Sequence, residues 1–259
     1  MLNGTMASFL VTIAVSVIMG MSVFISAPII FRKKMTLRKI MLYNAFAIGI
    51  LAFLLLDIYG NVAAIFGNTG INNPLEVLFI VAFALTFLFF IIPKGSRDPG
   101  ENPKRTSVLA ALGIGAQNLT EGLVFGSAGA AGLLTIYFLS AIGFSLQNVT
   151  EGFPIAMPLV GSKAKIEKKF IASVFLIGGI PTIVGTLIGW VLFSNLFIVL
   201  FDALASAAIL YVVLVLFHVN INRSRNDNKK ESSHLVWLTY SGVLLGFAAA
   251  FVVNYLIVL

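Results

Sequence analysis

The sequence predicts an all-α membrane protein with eight transmembrane helices and both termini on the outer face. Three observations lead to this prediction: long apolar runs, basic residues confined to four clusters, and neutral connections between those clusters. An apolar run of about 20 residues crosses the ~30 Å hydrocarbon core as a helix, because lipid offers the backbone no hydrogen-bond partners. A mean hydropathy of +1.03 with 10% charged residues excludes an ordinary soluble domain.

The positions of the basic residues predict the orientation. All 17 Lys and Arg residues lie in four clusters, at 32–39, 94–105, 163–169 and 223–230. The other connections contain none, at 61–74, 127–133 and 193–197. Connections rich in Lys and Arg stay on the cytoplasmic side, so the alternation orients every span. The net charge of +7 therefore indicates topology and contact with anionic lipid, and no nucleic-acid partner is expected.

We expect one transmembrane domain over residues 1–259. The first apolar run precedes every positive charge, so it lacks the basic region of a signal peptide and is predicted to be a retained helix. Residues 94–105 and 220–233 have the composition of loops, and the second loop is predicted to be mobile. The predicted spans are 6–31, 40–61, 74–93, 106–127, 133–160, 169–193, 196–219 and 234–258.

A polar hexapeptide occurs twice, as QNLTEG at 117–122 and as QNVTEG at 147–152. At ~1.5 Å per residue the first copy begins ~16 Å into span four, and the second ~22 Å into span five, which runs the opposite way. In each copy Gln and Glu are four residues apart and share one helix face. We therefore expect six polar residues to meet near the midplane: Gln117, Asn118, Glu121, Gln147, Asn148 and Glu151.

These six side chains predict a site for a divalent cation. All of them offer oxygen, and an ionised glutamate at the bilayer centre costs roughly 2.5–3.5 kcal/mol unless it is compensated. Oxygen ligands suit Mg²⁺, Ca²⁺, Mn²⁺ or Fe²⁺, whereas zinc usually takes at least one His or Cys. The alternative is that the hexapeptides only hydrogen-bond two helices together. Repetition at matched depth favours the cation site.

Two aspartates are predicted near the outer ends of spans. Asp57 in span two and Asp202 in span seven would form an acidic entrance that concentrates cations. The alternative is an interfacial carboxylate held by water or, for Asp202, by a helix N-terminus. An intramembrane aspartyl hydrolase using both is disfavoured because no Gly-Asp motif surrounds either, so we expect no enzyme. His218 and His234 are expected to pack at the interface rather than bind metal.

The doubled hexapeptide resembles the HNxxEG signatures on the fourth and fifth helices of the ZIP (Zrt/Irt-like) family of divalent-metal transporters. Three further stretches are similar to the family's second, sixth and seventh helices: YNAFAIGILAFLLLDI (43–58), GGIPTIVGTLIG (178–189) and ALASAAILYVVL (203–214). The resemblance implies a ZIP-like bundle in the plasma membrane with extracellular termini. It also implies import of zinc, iron, manganese or cadmium by alternating access.

The resemblance also implies roles for the six residues. The Gln and Glu of both copies would form the primary metal site, Asn118 and Asn148 would line a second or transit position, and Asp57 would belong to the entrance. The metal is cargo, so no cofactor is expected. The expected partners are the cation and the lipid bilayer, with a homodimer as one oligomeric state.

The sequence departs from the ZIP pattern at three kinds of position. Gln117 and Gln147 replace the two signature histidines, and Thr120 and Thr150 replace the proline of the pattern. Thr182 stands where many relatives supply a glutamate to a second metal position. These differences favour an alternative function, in which a ZIP-like fold senses metal or carries a cation other than zinc.

Overall fold

The computed structural model describes residues 2–31, 35–67, 73–91, 102–132, 134–160, 166–225 and 229–258. The described residues form eight α-helices and no strand. The helices are α1 (Leu2–Met21), α2 (Leu37–Phe66), α3 (Pro74–Ile91), α4 (Pro103–Ala130), α5 (Leu134–Ala156), α6 (Lys168–Val191), α7 (Asn195–Arg225) and α8 (Lys229–Val258). Two 3₁₀ segments follow α1 and α5, at Ser22–Phe31 and Met157–Leu159.

Helices long and apolar enough to cross a membrane make up most of the chain. Among the described residues there are seven such stretches: Ser8–Phe31, Leu37–Phe66, Pro74–Ile91, Pro103–Ala130, Lys168–Val191, Asn195–Ser224 and His234–Tyr255. The all-helical membrane character expected from the sequence is therefore confirmed. Helix α5 is not among the seven, so eight spans and outer termini stay predictions.

The first predicted span, 6–31, is not one continuous α-helix. The chain is α-helical to Met21 and continues as a 3₁₀ helix from Ser22. The Ser22 hydroxyl lies 2.6 Å from the carbonyl oxygen of Met19 and 2.9 Å from that of Ser145, which ties the point of change to α5. Pro28 also lacks the N–H that an α-helical hydrogen bond would need.

The connection at 220–233 is largely helical among the described residues, which corrects the expectation that it is a loop. Helix α7 continues to Arg225 and α8 begins at Lys229, with 226–228 outside the described residues. Asn220 explains the extension of α7. Its amide donates to the carbonyl oxygen of Met41 at 2.9 Å and accepts from Asn44 at 3.4 Å, so the end of α7 is held against α2.

Six of the described basic residues lie in the first turns of α2, α4 and α6: Arg38, Lys39, Lys104, Arg105, Lys168 and Lys169. Four more lie at the end of α7 and the start of α8: Arg223, Arg225, Lys229 and Lys230. The Lys104 ammonium lies 5.4 Å from the ring centroid of Phe170, so the starts of α4 and α6 are neighbours. The remaining predicted basic positions before Arg223 lie outside the described residues: Arg32, Lys33, Lys34, Lys94, Arg97, Lys163 and Lys165.

Glycines bring the backbones of α4 and α6 together, and this is the most extensive helix pairing among the described residues. A Cβ on Gly122 of α4 would collide with the carbonyl oxygen of Thr182, and one on Gly185 of α6 with that of Leu119. Small residues permit such close approach in membranes, where van der Waals packing contributes strongly to helix association. Helix α4 is therefore central, whereas the periphery includes α3, which has no buried residue.

A candidate cation site between two helices

The two hexapeptides lie side by side on α4 and α5. The amide of Asn118 donates to the side-chain oxygen of Asn148 at 2.5 Å and to the carbonyl oxygen of Gly178 at 2.9 Å. Both asparagines are completely buried. These bonds join α4 to α5 and α6, so the register between the two copies is fixed by their own polar side chains.

The glutamines and glutamates form one connected network beside the asparagine pair. Gln147 donates from a single nitrogen, Nε2, to Glu121 Oε1 at 2.6 Å and to Glu151 Oε1 at 2.9 Å. Gln117 Nε2 donates to the same oxygen of Glu121 at 3.1 Å. The spacing of four residues therefore pairs Gln with Glu on each helix, and Gln147 also bridges the two helices.

Several buried oxygen atoms of this network have no hydrogen-bond donor. They are Gln117 Oε1, Asn118 Oδ1, Glu121 Oε2 and Glu151 Oε2, and one buried donor, Asn148 Nδ2, is also without a partner. Buried polar atoms in native proteins are nearly always paired, and leaving a buried acceptor unpaired is costly. Four unpaired oxygen atoms on α4 and α5 therefore form an environment that is suited to a positive charge.

The chemistry of the donors narrows the kind of cation. Within the described residues, no group of three or more His, Asp or Glu side chains could hold a metal ion, and the chain has no cysteine. The candidate site instead combines two carboxylates with amide and hydroxyl oxygens. Such an all-oxygen set suits hard divalent cations, which readily complete their coordination with water.

A cavity of about 430 Å³ leads to this network from the end of the bundle where α7 begins. Asn61 and Asn195 line it and are exposed to the outside of the protein. Glu121 and Gln147 also line it, whereas Glu151 does not and is 0% exposed. The cavity therefore reaches one of the two carboxylates, and the other lies beyond it.

The two predicted entrance aspartates line the same cavity, where they have different partners. Asp57 on α2 is half-buried and accepts from Asn254 on α8 at 2.8 Å. Asp202 is 3% exposed, and its Oδ1 lies 2.8 Å from the hydroxyl of Thr120. Asp202 is about two turns into α7, so the alternative that a helix N-terminus holds it is wrong, because that effect is confined to the first turn.

Sequence reasoning missed Asn254 as part of this cavity. The sequence signal that could have identified it is an amide side chain inside the apolar run FVVNYLIVL at 251–259.

The two histidines lie apart from the site. His218 on α7 is exposed with Nε2 2.8 Å from the Asn222 amide, and His234 is exposed on α8.

Comparisons with known proteins do not assign a family. The chain matches no protein-family model, and no curated protein matches it. The resemblance to the ZIP family therefore rests on the motifs themselves, and the functional inference rests on the chemistry of the site.

Proposed function

We propose that this protein is a ZIP-like transporter that moves a divalent cation towards the cytoplasm, with Glu121 and Glu151 as its anionic ligands. The observation that supports this most strongly is the set of buried, unpaired oxygen atoms around the two glutamates. A purely structural polar contact would pair those atoms with donors, because an unpaired buried acceptor gains nothing from burial. A cation would satisfy several of them at once.

The cavity suggests the order in which the cation meets the protein. Asp57 and Asp202 line its wall and would concentrate cations there. Glu121 is the first glutamate that a cation in the cavity can reach, and Glu151 follows. Release on the other side would require a bundle of helices that contains α4 and α5 to move against the other helices, as alternating access at a mid-membrane site requires.

The ligand types favour Mn²⁺ or Fe²⁺ over zinc among the cations implied by the ZIP resemblance. Both signature histidines are glutamine here, and amide oxygen is a harder ligand than imidazole nitrogen. The same substitution supports the second candidate function, a ZIP-like sensor that binds a cation without carrying it. Cation binding without uptake would distinguish the sensor from the transporter.

Uptake of Mn²⁺ into proteoliposomes tests the transporter. Glu121→Gln and Glu151→Gln each remove one anionic ligand while preserving side-chain size, so we expect uptake at low Mn²⁺ to fall roughly tenfold or more. Glu76→Gln on α3 is the matched control, because Glu76 does not line the cavity, and it should leave uptake unchanged. Full uptake by the Glu121/Glu151 double variant would show that the site is assigned wrongly.

A further inference from the structure

We infer that Gln147 is the gate of the proposed cation site: its amide bridges Glu121 and Glu151 and turns away when a cation takes their oxygen atoms. The inference rests on the proposed function and adds a role that distinguishes the two glutamines. Gln117 would be a ligand through its oxygen, whereas Gln147 would compete with the cation through its nitrogen.

The hydrogen bonds of Gln147 support this role. A primary amide has two N–H hydrogens, and Gln147 directs its nitrogen to one oxygen of each glutamate, at 2.6 and 2.9 Å. A neutral group with two donors thereby links the two carboxylates. A divalent cation links two carboxylates in the same way but with a stronger attraction, so the amide and the cation compete for Oε1 of both glutamates.

The position of Gln147 supports the same role. Gln147 lines the cavity together with Glu121, whereas Glu151 is completely buried and does not line it. A cation in the cavity therefore meets Gln147 before it reaches Glu151. A cation that takes both oxygen atoms of each glutamate requires the Gln147 side chain to leave its bridging position, because Gln147 occupies Oε1 of both.

Gln117 provides an internal comparison, because it holds the equivalent position in the other hexapeptide. It donates to one glutamate only, at the longer distance of 3.1 Å, and its oxygen is buried without a partner. Gln147 has both glutamates as acceptors, and it lines the cavity, whereas Gln117 does not. The duplicated motif has therefore produced one glutamine suited to bind a cation and one suited to replace it.

A matched pair of variants tests the gate by the sign of the change in Mn²⁺ affinity, measured by calorimetry on the purified full-length chain. Gln147→Ala removes the bridging donors and opens the way to Glu151, so we expect Mn²⁺ to bind roughly tenfold more tightly. Gln117→Ala removes an oxygen ligand, so binding should weaken. Weaker binding in Gln147→Ala would overturn the inference, because a ligand or a simple positioning residue gives that result. Unchanged binding would overturn it as well.

Thermal unfolding provides a second measurement that does not depend on transport. Without cation, Gln147→Ala should unfold at a lower temperature than the wild type, since two buried carboxylates lose their shared donor. Added Mn²⁺ should then raise the unfolding temperature more in Gln147→Ala than in the wild type, and an equal or smaller rise would contradict the gate.

The two proposals fail in different ways. If Glu121→Gln and Glu151→Gln abolish Mn²⁺ binding while Gln147→Ala also weakens it, the transporter site stands and the gate falls. If the wild type binds no Mn²⁺, both proposals fall.

Discussion

Single residues in the duplicated hexapeptide have acquired different partners on the two helices. The Thr120 hydroxyl lies 2.7 Å from the Gln117 carbonyl oxygen and 2.8 Å from Asp202 on α7. The Thr150 hydroxyl donates to the Gln147 carbonyl oxygen at 2.7 Å within its own helix. The same residue type therefore connects α4 to α7 in one copy and makes a local helix contact in the other.

This difference predicts unequal costs for the same substitution. Thr120→Val leaves the buried Asp202 without its hydroxyl partner, so we expect the free energy of unfolding to fall by about 1–3 kcal/mol. Thr150→Val removes only a bond within the helix and should cost less. Denaturant unfolding in detergent measures both variants. Equal losses would show that the contact between Thr120 and Asp202 contributes no net stability.

We expect Gln117 and Gln147 to determine which metal the site prefers. Replacing both Gln117 and Gln147 by His supplies two imidazole ligands, which zinc favours. We expect the ratio of zinc to manganese affinity to rise at least roughly tenfold, measured by competitive titration of the purified protein. An unchanged ratio would mean that neither introduced imidazole reaches the cation.

At the scale of the helices, the packing of α4 against α6 holds the first hexapeptide in place. Gly122 follows Glu121 directly, and a Cβ there would collide with the α6 backbone at Thr182. Gly122→Ala should therefore reduce the free energy of unfolding by about 1–3 kcal/mol through overpacking. Gly60→Ala on α2 is the control, since no atom lies within 4 Å of the added carbon, and it should be neutral or slightly stabilising. Similar losses in both variants would contradict a special role for the α4–α6 contact.

The ends of the helices show how much of this fold the hydropathy and charge pattern predicts. Hydropathy and charge predicted where the helices occur. A helix that crosses lipid needs about 20 apolar residues, and its backbone groups must form their hydrogen bonds within the helix. Hydropathy and charge did not predict the 3₁₀ helix from Ser22 or the continuation of α7 past Asn220. Both features coincide with side-chain bonds to distant segments, at Ser145 and at Met41. Such bonds leave no periodic signal in the sequence.

The sequence also predicted only part of the candidate site. Helical period predicted that Gln and Glu four residues apart share a face, and the structure places the two copies in contact. The sequence could not show that Gln147 donates to both glutamates, or that Asn254 approaches Asp57. Those pairings depend on how α5 and α8 pack against their neighbours.

At the scale of the whole molecule, the alternation of basic and neutral connections predicts the sidedness of the bundle. The chain has no cysteine, so single Phe193→Cys and Glu167→Cys variants place one thiol at either end of α6. An impermeant maleimide applied to intact cells should label Phe193→Cys and not Glu167→Cys, and epitope tags on both termini should be accessible. The reverse labelling pattern would invert the topology.

The most direct test of a cation site between α4 and α5 is anomalous X-ray scattering from crystals of the full chain grown with Mn²⁺. We expect one strong manganese peak between the carboxylates of Glu121 and Glu151, which disappears in the Glu121→Gln/Glu151→Gln variant. A peak elsewhere that survives in that variant, or no peak at saturating Mn²⁺, would contradict the proposed site.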